Sequence, residues 1–210
     1  MGRHALGGDL GGAGLQAVLA ARTDGDARAG GHGGAISMSC GARNVQYSSF
    51  VGNTAIAGGG AIYVSGGTAS IASSYFSGNS VDSGRGGAVY LYESQAGISG
   101  STFDSNEADY GGAVYTTLSS TVTTTFIQNS TFTGNSASMY GGAIGTEGYF
   151  LSGTRSRVEI GSSSFISNTA DTGGGAVYGY TASIDAAGCN FYANSASYGG
   201  AVYLNNAEFS

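Results

Sequence analysis

The chain has 210 residues, 40 of them glycine and none proline, with seven Arg, no Lys, 13 acidic residues and a net charge of −6. Only 10% of the residues are charged and no basic stripe runs along the sequence, so nucleic acid and an anionic membrane surface are excluded as partners. Hydrophobic residues make up 41% and recur in register, which a disordered glycine-rich linker does not need.

In chain order, residues 1–30 form an N-terminal cap or a poorly ordered segment. Leu10–Ala21 is mildly apolar, and Leu15, Val18 and Leu19 share one face of a short amphipathic helix that would cover the first repeat, as solenoids require. Asp9 and the many glycines make this a poor signal peptide. No stretch approaches the ~20 apolar residues of a spanning helix, so no membrane insertion is expected.

Residues 31–210 read as one repeat domain. The motif F-x-x-N stands at Phe50/Asn53, Phe76/Asn79, Phe103/Asn106, Phe132/Asn135, Phe165/Asn168 and Phe191/Asn194. It alternates with G-G-A motifs ending at Ala35, Ala61, Ala88, Ala113, Ala143, Ala176 and Ala201, in steps of 26, 27, 25, 30, 33 and 25 residues. A period of this size means stacked units. Each unit holds an extended piece such as Ala88–Tyr92, with Val89 and Leu91 on one face and Tyr90 and Tyr92 on the other. A second piece places Val45, Ile71, Ile98, Ile127 or Ile160 five positions before the Phe, and a third runs from Phe to Asn. Three strands and three bends per unit predict an all-β, right-handed parallel β-helix of about six to seven coils. Stacked Phe and aliphatic columns would fill it. Asn at the bends would form hydrogen-bonded ladders and tolerate left-handed φ, and Gly-Gly would allow a tight bend. The twelve Phe and Asn residues are therefore structural.

The alternation of Phe76-Ser-Gly-Asn79 with Gly86-Gly-Ala-Val89, and of Phe103-Asp-Ser-Asn106 with Gly111-Gly-Ala-Val114, resembles the passenger domains of polymorphic outer membrane proteins, best known from chlamydiae. The resemblance covers about Gly33 to Val202. It implies a right-handed β-helix displayed at the cell surface as an adhesin or antigen and exported through a C-terminal barrel. No barrel is recognisable here, and Ser210 falls nine residues after Ala201, so the last coil is incomplete and the chain reads as part of something longer.

Functional candidates lie where regularity breaks. From Ala to the next Phe is 15 residues in most units, but 19 in the fourth and 22 in the fifth. The second insertion carries Tyr149, Phe150, Arg155 and Arg157, an aromatic and Arg mixture typical of contact sites, and it is the candidate binding site. An outward column Tyr63, Tyr90, Tyr115, Tyr178 and Tyr203, interrupted at Gly145, is either a self-stabilising ladder or a platform for sugar rings or protein. Asp82 and Asp109 read as solvated bends, with a Ca²⁺ shared with Glu107 as the alternative. Asn129-Ser-Thr131 is a glycosylation sequon. With coils stacked ~4.8 Å apart, Cys40 and Cys189 lie roughly 24 Å apart and are not disulfide partners.

No catalytic residue, metal or cofactor is expected. Glu93 and Glu147, roughly 10 Å apart, are the sole carboxylate pair on the face after the first strand, and hydrolases need two or three converging acids. The reading is a non-catalytic surface or secreted β-helical module acting in adhesion or as a structural stalk. Its expected partner is a host or neighbouring cell-surface protein or glycan. The alternative is a fragment of a pectin-lyase-like, carbohydrate-active β-helix whose catalytic coils are missing.

Overall fold

The computed structural model describes residues 20–22, 28–29, 31–118, 124–148 and 155–210. Every described strand pairs in parallel with the equivalent strand one repeat away, which gives a β-solenoid of about six turns with three sheets running its length. One sheet carries the motif Phe: Ala20–Arg22, Ser49–Val51, Tyr75–Ser77, Thr102–Asp104, Thr131–Thr133, Ser164–Ile166 and Asn190–Tyr192. A second follows the Asn: Arg28–Ala29, Thr54–Ala55, Ser80–Val81, Glu107–Tyr110, Ser136–Tyr140, Thr169–Gly173 and Ser195–Tyr198.

The third and longest sheet follows Gly-Gly-Ala. In the coils of Ile62–Ala72 and Val89–Ser99 its strand is unbroken for 11 residues. Elsewhere it divides at a corner, as in Val114–Thr117 and Thr124–Gln128, or Ile144–Glu147 and Ser156–Gly161. The extended pieces that the sequence separates into first and second are thus two halves of one sheet, and a further sheet is made by residues after the Asn. That sheet eludes sequence patterning because its strands are two to five residues of mostly Ser, Thr and Ala, too short to show alternation.

At the N-terminal side, Ala20 and Ala21 close the segment expected to be a capping helix, yet they belong to a strand in register with Ser49 and Phe50. An open sheet edge offers unpaired N–H and C=O groups, and pairing with it satisfies the backbone where a helix would not. Leu15, Val18 and Leu19 lie outside the described residues.

Phe50, Phe76, Phe103, Phe132, Phe165 and Phe191 form one stack with centroid spacings of 4.9, 4.7, 4.8, 4.9 and 4.9 Å and interplanar angles of 3–8°. The spacing is that of adjacent parallel strands, so ring contact comes with strand pairing. Facing them are the buried aliphatic columns Val45/Ile71/Ile98/Ile127/Ile160 and Ile62/Val89/Val114/Ile144/Val177. Each fully buried side chain of this kind contributes about 1.5–3 kcal/mol.

The motif Asn residues from Asn53 to Asn168 are buried, with Asn194 half-buried, and they form a hydrogen-bonded ladder. Nδ2 of Asn53, Asn79, Asn106, Asn135 and Asn168 donates to Oδ1 of the next Asn at 2.8–2.9 Å. From Asn79 onward, Nδ2 also donates to the carbonyl of the Phe one coil back, as Asn106 does to Phe76 at 3.1 Å. Left-handed φ falls not on the Asn but on the residue before it: Gly52, Gly78, Ser105, Gly134, Ser167 and Ala193. The Asn must aim its amide along the solenoid axis, and the preceding residue absorbs the bend.

A second ladder sits two residues before each Phe. Oγ of Ser74, Ser101, Ser130 and Ser163 accepts from the backbone N–H of the previous ladder Ser at 3.1–3.3 Å. Each of these hydroxyls donates to the carbonyl two residues earlier. Cys189 takes this place in the next coil, half-buried, its Sγ 3.6 Å from the Ala187 and Ile160 carbonyls.

The Gly-Gly bend needs both glycines for different reasons. Gly111 has φ +61°, and a Cβ on Gly112 would come within 2.2 Å of the Gly142 carbonyl oxygen in the next coil.

Candidate functional site

Outside the Gly-Gly-Ala bend, two columns of residues face one another. One belongs to the long sheet: Tyr63, Tyr90, Tyr115, Gly145, Tyr178 and Tyr203, each in register with the next. The other is the residue immediately before Gly-Gly. In chain order it is His32, Gly58, Arg85, Tyr110, Tyr140, Gly173 and Tyr198.

The columns interlock. Where a column has Gly, a neighbouring ring lies over it: a Cβ at Gly58 would meet the Tyr90 ring of the facing column at 2.5 Å, at Gly173 the Tyr203 ring of the facing column at 2.5 Å, and at Gly145 the ring of Tyr115, its own column neighbour, at 2.5 Å. Ring contacts then run the length of the bend. Among them are His32–Tyr63 at 4.2 Å, Tyr63–Tyr90 at 5.4 Å, Tyr110–Tyr140 at 6.1 Å, Tyr140–Tyr178 at 4.5 Å and Tyr178–Tyr203 at 5.9 Å.

The long-sheet tyrosines point away from the core but are largely covered. Tyr90, Tyr115 and Tyr178 are 6%, 1% and 7% exposed. An open tyrosine column is therefore not what this face presents. The cover comes from Arg85, Tyr110 and Tyr140, which nothing in the strand pattern of the tyrosine column marks. The signal was in the sequence all the same, since the position before Gly-Gly holds Arg or Tyr in four of seven units.

At Gly145 the zipper opens into a groove of about 210 Å³ lined by Arg85, Tyr110, Tyr115, Tyr140, Glu147, Tyr178 and Tyr180. The Arg85 guanidinium lies 5.5 Å from the Tyr110 ring centroid and 5.4 Å from that of Tyr115, within cation–π range. Its Nη2 is 3.4 Å from Glu147 Oε2, which also accepts the Tyr115 hydroxyl at 2.9 Å. Arg85 and Glu147 are both partly exposed, so this pair orients more than it stabilises. Burial first, then the Glu147 carboxylate, pushes the Tyr115 phenol well above its usual range, against the opposing pull of Arg85. Burial likewise raises the Tyr90 and Tyr178 phenols.

The inserted loops enter at the corner of the long sheet, where other coils place a left-handed residue: Cys40, Gly66, Glu93, Thr181 and Asn206. Tyr149 and Phe150 lie outside the described residues. Arg155 is 2.8 Å from Glu208, and Arg157 contacts Glu159 at 2.8 Å and Asp185 at 2.7 Å, so both guanidinium groups are engaged on the outer face of the long sheet. Neither lines the tyrosine groove. Of the two carboxylates considered for hydrolysis, Glu147 lines the groove and Glu93 stands at the corner. Asp109 accepts a 2.6 Å hydrogen bond from Ser138. Among the described residues no group of three or more His, Cys, Asp or Glu comes together.

These features define a parallel β-solenoid in which each repeat spends its recurrent residues on stacking and two of its faces differ in regularity. The family model described as Chlamydia polymorphic membrane protein (Chlamydia_PMP) repeat matches residues 47–65, 73–92, 123–147 and 162–180. Four segments of this β-solenoid are thus similar to the polymorphic membrane protein repeat. The matched segments run from the serine ladder through Phe, Asn and Gly-Gly-Ala, and they include Arg85, Tyr140, Glu147, Tyr178 and Tyr180 of the groove. Comparison with curated proteins and with solved structures finds no significant match.

Proposed function

We propose that the chain is a non-catalytic recognition module at the cell surface, an adhesin-like or stalk-forming passenger that meets a protein or glycan on a host or neighbouring cell. The observation that carries this reading is the division of labour within the repeat. Phe, Asn, Ser and Gly-Gly are all consumed by stacking contacts, while side-chain variety gathers on the outer bend around Gly145 and at the corner where the loops enter. Repeat proteins use such surfaces for binding. The repeat family supports a surface location.

The groove's chemistry supports a non-catalytic role over the carbohydrate-active alternative. Glycoside hydrolysis needs two carboxyl groups flanking the scissile bond, about 5–9.5 Å apart. Among the described residues Glu147 is the single carboxylate lining the groove, and it is held by Arg85 and Tyr115. Binding of the labelled chain to intact animal and microbial cells tests the proposal. Saturable binding that leaves surface polysaccharide uncleaved is the expected result. Release of reducing ends from that polysaccharide would replace this reading with the enzymatic one.

A further inference from the structure

The groove beside Gly145 has properties that the rest of the tyrosine zipper lacks. Tyr178 and Tyr115 flank Gly145 in register; the Tyr115 ring leans over Gly145, and the groove opens beside that ring. Tyr180, next to Glu147 in register, is half-buried and stacks on no other ring among the described residues. The Arg85 guanidinium and the Glu147 carboxylate are both partly exposed, and both line the groove. The groove thus brings an aromatic face, a partly exposed guanidinium and a partly exposed carboxylate into one small space.

We infer that this groove is a subsite for a single neutral pyranose ring. The inference rests on the surface-recognition reading and names its ligand class. A pyranose has one face rich in C–H groups, which suits a tyrosine ring, and an edge of vicinal hydroxyls. Each hydroxyl both donates and accepts, so two of them satisfy an Arg N–H and a carboxylate oxygen together. Charge decides between sugar classes. Arg85 is neutralised by Glu147, and an acidic sugar would set a second carboxylate against Glu147 on a chain of net charge −6. A cationic ligand would compete with Arg85, which already lies over Tyr110 and Tyr115. Size points the same way: 210 Å³ is below the ~300 Å³ at which drug-sized pockets begin, so one ring enters while the rest of a glycan lies along the bend.

The test is saturation-transfer NMR on the full chain. Methyl glycosides of neutral hexoses and of an N-acetylhexosamine are set beside methyl glucuronide and N-acetylneuraminic acid. Transfer to at least one neutral glycoside is expected, with affinity weakened at least fivefold by Tyr180→Ala and by Glu147→Gln, and lost in Gly145→Tyr. Tyr180 and Glu147 are partly exposed, so those two variants keep the fold even if Gly145→Tyr does not. Transfer confined to the acidic sugars, transfer to none, or transfer unchanged in Tyr180→Ala would overturn the assignment. Cell binding by the same preparation separates the two readings. If cells are bound and no sugar is, surface recognition stands and the sugar subsite falls.

Discussion

The phenylalanine side of the solenoid repeats itself without variation, whereas the tyrosine side changes from coil to coil. Six Phe rings stack at 4.7–4.9 Å with nearly parallel planes. The outer tyrosines meet at 4.5–6.4 Å and at angles from 13° to 70°, with glycines at Gly58, Gly145 and Gly173. Both sides are built from aromatic residues on parallel strands. The difference is that a buried ring has one place to go, while a ring on the outer bend can lean into a neighbour's gap. Regularity marks where folding energy is stored, and irregularity marks where shape is free to serve recognition.

That contrast is sharpest at Phe103, fully buried between Phe76 and Phe132. Phe103→Ala is expected to cost about 3–5 kcal/mol, measured by denaturant unfolding. Asn106→Ala comes next. It leaves the Asn79 amide and the Phe76 carbonyl without their buried partner, so about 3 kcal/mol is expected in the same measurement. A loss below about 0.5 kcal/mol would mean that water replaces the ladder and that the scaffold side is less rigid than described.

The tyrosine side responds to pH where the phenylalanine side does not. Below about pH 10 the Tyr115 phenol is neutral in both folded and unfolded chains. Above it the unfolded chain ionises first, because the folded phenol is raised, and stability falls by about 1.4 kcal/mol per pH unit from this residue. Tyr115→Phe should flatten that alkaline decline in a series of thermal melts; a decline of unchanged slope would assign it to other tyrosines. The smallest effect expected is at Ala193, a non-glycine residue at φ +53° in the bend before Asn194. Ala193→Gly should stabilise by up to about 1 kcal/mol, since other coils place Gly at this bend.

The two sides were unequally legible in the sequence. Phe and Asn recur at fixed offsets, so their stacking in a parallel solenoid follows from the period alone. The serine ladder was equally periodic, two residues before each Phe from Ser48 to Ser163, but Ser is so common in this chain that the column hides in composition. The sheet that follows the Asn was invisible because its strands are too short for alternation. The groove depends on Arg85, Glu147 and Tyr180, which come from different coils and share no motif. Bringing them together requires the register of the long sheet and the leaning of Tyr115 over Gly145, and neither is a property of local sequence. The inserted-loop candidate was found by counting residues between motifs, which locates an insertion but not its contacts. Arg155 and Arg157 turn out to be engaged with acidic residues of the long sheet.

Recognition on the tyrosine bend, with the phenylalanine side as scaffold, is tested most directly by paired surface variants in cell binding. One variant carries Arg85→Ala, Glu147→Gln and Tyr180→Ala in the groove. The other changes exposed or half-exposed residues on the outer face of the phenylalanine sheet, Val51, Ser77 and Thr133, to Asp. Loss of binding in the groove variant alone, with both proteins melting as the parent does, is the predicted result. Loss in the phenylalanine-sheet variant with binding intact in the groove variant would contradict it.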